Sequence, residues 1–162
     1  AVLFGKWPPF PEPRQADLPK ADLKQLAGRT EIWLEAQRPA LPAPARQLVD
    51  GIGVQLDLLA PQLQTLDAAT PAAANIRKLV GEDLPELVAG YQRIPTGLRS
   101  EAHGGRTPDD TLVGGLRMLE REIGDAARNL AAGEIDKLAT RERYLQLKYE
   151  GLDSEDQPTP GT

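Results

Sequence analysis

The stretch GEDLPELVAGYQRIPTGLR, residues 81–99, decides how many helices this chain is read to contain. Leu84, Leu87, Val88 and Tyr91 recur in it at helical spacing, and Pro85 stands among them. A proline inside a helix removes a donor and collides with the carbonyl four residues back, but in a first turn it costs little. Asp83 precedes Glu86 by three residues, the spacing of a capping box. The pattern therefore predicts a break at Gly81 and Glu82. A new helix then starts around Pro85, buries Leu84, Leu87, Val88 and Tyr91, and ends at Pro95 and Gly97.

Upstream of this stretch, Thr70 and Pro71 predict a helix start, with a capping hydroxyl followed by a residue that needs no donor. That helix carries Ile76, Leu79 and Val80. Before it, Ala45, Val49, Ile52, Leu56, Leu59, Leu63 and Leu66 step by fours and threes, a heptad seam. Pro61 falls inside the seam and predicts a kink, because the register continues past it. Gly51 and Gly53 weaken this helix unless a neighbour approaches closely there. A first helix with Leu23, Leu26, Thr30, Trp33 and Leu34 on one side ends at Pro39.

Downstream, Thr107 and Pro108 repeat the start signal, with Asp110 at the capping-box position. Leu112, Leu116, Leu119, Ile123, Ala126 and Leu130 form a second heptad seam, and Gly133 reads as its C-cap. A last helix over residues 134–150 is expected to bury Ile135, Leu138, Leu145 and Tyr149. The two seams are expected to face each other, with Leu116, Leu119 and Ile123 fully buried against Leu56, Leu59 and Leu63. Strand-like alternation is absent from the sequence. The expected fold is all-α, an antiparallel bundle of four to six helices with proline-marked breaks.

The chain has 162 residues, 40% of them hydrophobic, which suits one domain over residues 20–150. Aromatics are only 4%, so the core must be built from Leu, Ile, Val and Ala. Residues 151–162, GLDSEDQPTPGT, read as a disordered acidic tail. Residues 1–19 read as an apolar start followed by a proline-rich spacer. The order of Val2, Leu3 and Phe4 before Lys6 and Trp7 supports two readings: the interfacial end of an upstream membrane helix, or a floppy or core-docked terminus. The first predicts an apolar run of about 18–22 residues ahead of Ala1, with the bundle on the cytoplasmic side.

Function classes are narrowed mainly by what is missing. With no cysteine, disulfides, thiolate metal sites and thiol catalysis drop out together. The net charge of −5 is spread among mixed signs, and no basic stripe tracks a phosphate backbone, so nucleic acid is not an expected partner. His103 is the only histidine and lies in a Gly-rich loop, where an exposed side chain is the expectation. Glu120 and Glu122 point to different helix faces, and Ser100 and Ser154 sit in no nucleophile elbow. Catalytic residues, metal ligands and cofactors are therefore not assigned.

One motif has possible chemistry: Gly104, Gly105 and Arg106 directly precede Thr107 at a helix start. Free N–H groups, the helix dipole and a second charge from Arg99 suit a phosphate or carboxylate. Asp109 and Asp110 already complement that dipole. The default expectation for Arg93, Arg99 and Arg106 is structural ion pairing with acidic residues in the first turn of a neighbouring helix.

The order of elements over residues 48–150 resembles the helical region of XpaC-like proteins, the 5-bromo-4-chloroindolyl phosphate hydrolysis family. The resemblance lies in a leucine heptad helix, PAAANIRKL, a short break, DLPEL leading to Tyr91, a long heptad helix and a final helix. Asp83, Leu84 and Pro85 stand where that family has a Tyr-Leu-Pro break. The resemblance implies a membrane-associated bacterial helical protein, and it carries over no catalytic residue. The expected role is a non-enzymatic interaction domain, monomeric or weakly self-associating. The alternative is a domain that binds or hydrolyses a phosphorylated small molecule through Arg99, Gly104, Gly105, Arg106 and Thr107.

Overall fold

The computed structural model describes residues 12–151, and every regular element within them is helical. In chain order these are α1 (Leu23–Gln37), α2 (Ala43–Leu63), α3 (Pro71–Lys78), α4 (Leu84–Gln92) and α5 (Pro108–Leu145). The chain divides into two compact units, Ala1–Ala127 and Arg128–Thr162, at a point within α5.

In the first unit α1 and α2 run antiparallel. Arg38, just past α1, makes a bidentate pair with Asp50 at 2.8 Å, while at the other end the Gln64 amide donates to the Lys24 carbonyl at 2.8 Å. The α2 seam is buried as its spacing predicts, from Ala45 through Val49, Ile52, Leu56 and Leu59 to Leu63. It packs mainly against α1. Pro61 does not kink a longer helix. The helix ends two residues later, leaving Leu66 half-buried in the following turn.

The break expected at Gly81 and Glu82 does not occur. Helical backbone continues from α3 through a π turn, Leu79–Asp83, into α4. The Leu84 N–H reaches back five residues to the Leu79 carbonyl. In that register the Val80 carbonyl is owed a donor by residue 85, which is a proline. The Thr30 hydroxyl of α1 takes that place, donating to the Val80 carbonyl at 3.4 Å in a fully buried position. Asp83 has helical dihedrals and makes no capping bond; its carboxylate pairs with Lys78 instead. Widening one turn thus absorbs the proline while the helix goes on.

The π turn also receives the segment ahead of α1. Residues Gln15–Lys20, of which all but Lys20 are expected to be spacer, form a 3-10 helix with Leu18 fully buried. A Cβ at Gly81 would sit 3.2 Å from the Pro19 Cα and 3.3 Å from the Leu18 carbonyl, so glycine is what permits this approach. Arg77 holds the segment from the side, donating to the Pro19 carbonyl at 2.8 Å and the Ala21 carbonyl at 2.6 Å. The packed unit therefore begins ahead of Lys20. Residues 1–11 and 152–162, with the apolar start and the acidic tail, lie outside the described residues.

α4 and the first part of α5 are antiparallel: the Tyr91 hydroxyl meets Asp109, and Leu87 lies over Gly115. Leu112, Leu116, Ile123 and Ala127 are buried, but Leu119 is only half-buried. The approach of α5 to α2 is at Gly51, where the Glu120 carboxylate lies over a position without a Cβ. That accounts for Gly51; Gly53 has no such neighbour.

Gly133 does not cap a helix. α5 passes through it to Leu145 and runs into a π turn, Gln146–Glu150. Left-handed glycines among the described residues occur only at 104 and 105. Ala131, Ala132 and Glu134, all good helix formers, surround Gly133 and offset its cost of about 1 kcal/mol. The expected burial of the last helix fails as well. Ile135 is 64% exposed, Leu138 71%, Leu145 43% and Tyr149 54%. In residues 128–151 not one side chain is buried.

Candidate functional site

The α4–α5 connection brings together most of the residues that the sequence singles out. The chain leaves α4 at Arg93, makes a short 3-10 turn at Thr96–Leu98, and reverses at residues 103–106. There His103 N–H donates to the Arg106 carbonyl at 2.7 Å and Arg106 N–H to the His103 carbonyl at 3.2 Å. Gly104 (φ 61°) and Gly105 (φ 86°) between them are both left-handed, as a tight two-residue reversal requires. The glycine pair is thus explained by the turn.

The anion-binding reading of Arg99, Gly104, Gly105, Arg106 and Thr107 fares poorly against the hydrogen bonds. Thr107 caps α5 by accepting from Asp110 N–H at 3.0 Å, and Thr111 N–H bonds the Thr107 carbonyl at 3.0 Å. Asp109 N–H bonds the Arg99 carbonyl at 3.0 Å, and Pro108 has no donor. The first-turn donors that would hold an anion are taken.

The two arginines are committed too. Arg99 donates to the carbonyls of Ile94 (2.9 Å) and Gln92 (3.1 Å), satisfying the end of α4, and its guanidinium lies 4.8 Å from the Tyr91 ring centre. Arg106 donates from Nη2 to the Asp110 carbonyl at 3.0 Å and remains exposed. Neither pairs with first-turn carboxylates.

Sequence reasoning missed the role of Asp109. Its carboxylate accepts from the Tyr91 hydroxyl at 2.5 Å and from Ser100 Oγ at 3.0 Å. Burial, the bond to Asp109 and the charge of Asp109 together push the Tyr91 phenol up to about 12, with Arg99 opposing. The phenol therefore stays protonated and acts as a donor. The available signal was a tyrosine closing one helix and an aspartate opening the next, which antiparallel packing brings level.

Beside this cluster lies a cleft of about 360 Å³. Leu87, Ile94, Leu112 and the Tyr91 ring form its apolar surfaces, and Glu86, His103 and Arg106 stand among its lining residues. Such walls suit an apolar molecule better than a phosphate. Among the described residues there is no group of three His, Asp or Glu able to hold a metal ion. No helix of the described residues is long and apolar enough to cross a membrane. Comparison with protein-family models, with curated proteins and with solved structures finds no match, so this site is read from its own chemistry.

Proposed function

We propose that this chain is a non-enzymatic helical interaction domain whose binding element is the second part of α5. The observation that supports it is the exposure of Ile135, Leu138 and Leu145 along one side of a helix. A helical stretch without buried side chains has little to stabilise it, because packing of an apolar face contributes most of a helix's stability in proteins. A partner would supply that packing. A membrane-proximal setting belongs to the same proposal, supported by the order of apolar residues, Lys6 and Trp7 in residues 1–7 and by the XpaC-like order of elements.

Crosslinking in cells that express the full-length chain tests the reading. Wild-type protein is expected to give crosslinks from residues 134–150 to a protein partner, in quantity comparable to the chain itself. Leu138→Glu with Leu145→Glu should abolish them while leaving the melting temperature within a degree or two. Identical crosslinks from wild type and variant would overturn it.

A second reading is favoured by the cleft beside Tyr91: capture of a small apolar molecule. Inorganic phosphate is then expected to give no thermal stabilisation, since the first-turn donors of α5 are occupied.

A further inference from the structure

The exposed face of α5 carries more information than its apolarity. Ile135, Leu138, Leu145 and Tyr149 fall at successive inward positions of a heptad repeat, and Glu142 occupies the inward position between Leu138 and Leu145. A single polar residue in an apolar seam fixes register and orientation at some cost in stability. Glu142 has no hydrogen-bond or ion-pair partner among the described residues, and the Arg141 guanidinium only faces the Tyr144 ring at 5.7 Å.

We propose that the partner of this face is a second copy of the chain, bound antiparallel about a two-fold axis between Arg141 and Glu142. This rests on the interaction-domain reading above. Reversing the segment about that point sets Leu138 opposite the second copy's Leu145, and Arg141 opposite its Glu142, each twice. The same operation sets Ile135 opposite Lys148 and Glu134 opposite Tyr149, which leaves Ile135 and Tyr149, and likewise Glu134 and Lys148, one residue out of level. Charge agrees with this direction: residues 134–140 are acidic in balance (Glu134, Asp136, Lys137), while residues 141–148 are basic (Arg141, Glu142, Arg143, Lys148). Antiparallel copies place unlike halves side by side, and the contact is self-complementary, as a two-fold interface must be. Parallel copies would set Glu142 against Glu142 and Arg141 beside Arg141. The mixed signs of the polar face also argue against an anionic lipid surface, which selects a predominantly basic one.

The absence of native cysteine makes the geometry directly testable. Leu138→Cys and Leu145→Cys full-length chains, mixed at about 0.1 mM and mildly oxidised, should form mainly the mixed disulfide dimer, with little crosslinking of either alone. Light scattering should show a dimer for wild type. Arg141→Glu or Glu142→Arg alone should weaken it about tenfold, and the double swap should restore it. Self-crosslinking of each variant would indicate a parallel pair and overturn the proposal. Monomer mass with no crosslink at that concentration would overturn it as well. In that case, partner crosslinks in cells that are still lost in Leu138→Glu with Leu145→Glu would leave the interaction-domain reading standing with a different partner.

Discussion

Glu31, half-buried on α1, shows how one residue makes the bundle respond to pH. Burial, a hydrogen bond shared with the Asp57 carboxyl, and the charges of Asp57 and Glu35 push it from 4.5 up to about 7. Between those values the folded chain keeps a proton that the unfolded chain has released. Folding therefore binds protons in this window, and this group's contribution to stability falls as pH rises through it. Glu31→Gln should remove that decline. Discounted for the exposure of the site, the gain above pH 7 should be about 1 kcal/mol. Urea titrations of both proteins at about pH 4.5 and pH 8 check it; parallel pH dependence in wild type and variant would refute the assignment.

At the scale of elements, the π turn between α3 and α4 is the feature with the sharpest consequence. Thr30 supplies the donor that Pro85 cannot give to the Val80 carbonyl. Thr30→Val should cost about 1–2 kcal/mol, because it leaves a buried carbonyl without its partner. In a Pro85→Ala background the restored N–H can serve Val80, so the same substitution should cost less. The coupling should be about 0.5–1 kcal/mol in a double-mutant cycle, and strict additivity would show that the two positions do not share that carbonyl. α5 gives a second comparison. Leu116 is fully buried and Leu119 is not, so Leu116→Ala should cost about 2–5 kcal/mol and Leu119→Ala clearly less. Equal losses in denaturant titrations would contradict that difference.

For the whole molecule, the division within α5 separates a unit that holds every buried side chain among the described residues from one that holds none. A chain ending at Ala127 is therefore expected to unfold cooperatively, with a melting temperature within a few degrees of the full chain at low protein concentration. Loss of the cooperative transition in calorimetry would mean that residues 128–162 belong to the folding unit. Amide exchange gives the complementary view. Residues 45–63 should be the slowest to exchange. Residues 134–150 should exchange fastest in dilute protein and slow down as concentration rises and the second copy binds.

What depends on neighbours along the chain was legible in the residues alone. Thr70 and Thr107 cap their helices as their positions announce, through bonds to Ala73 N–H and Asp110 N–H. The α2 seam is buried because a heptad of apolar residues leaves the helix only one face to hide, and the all-helical class follows from the same periodicity. What depends on residues far apart became fixed only when the helices packed. Pro85 is accommodated because a hydroxyl 50 residues away in sequence reaches the Val80 carbonyl. Leu18 joins the core because Gly81 leaves room for the backbone beside it. Arg99 turns to the Gln92 and Ile94 carbonyls at the end of α4, and Arg106 to the Asp110 carbonyl in the first turn of α5, because those carbonyls lie within reach. Periodicity marks a face as apolar but cannot say what covers it, which is why the stripes of α2 and of the second part of α5 read alike and ended so differently.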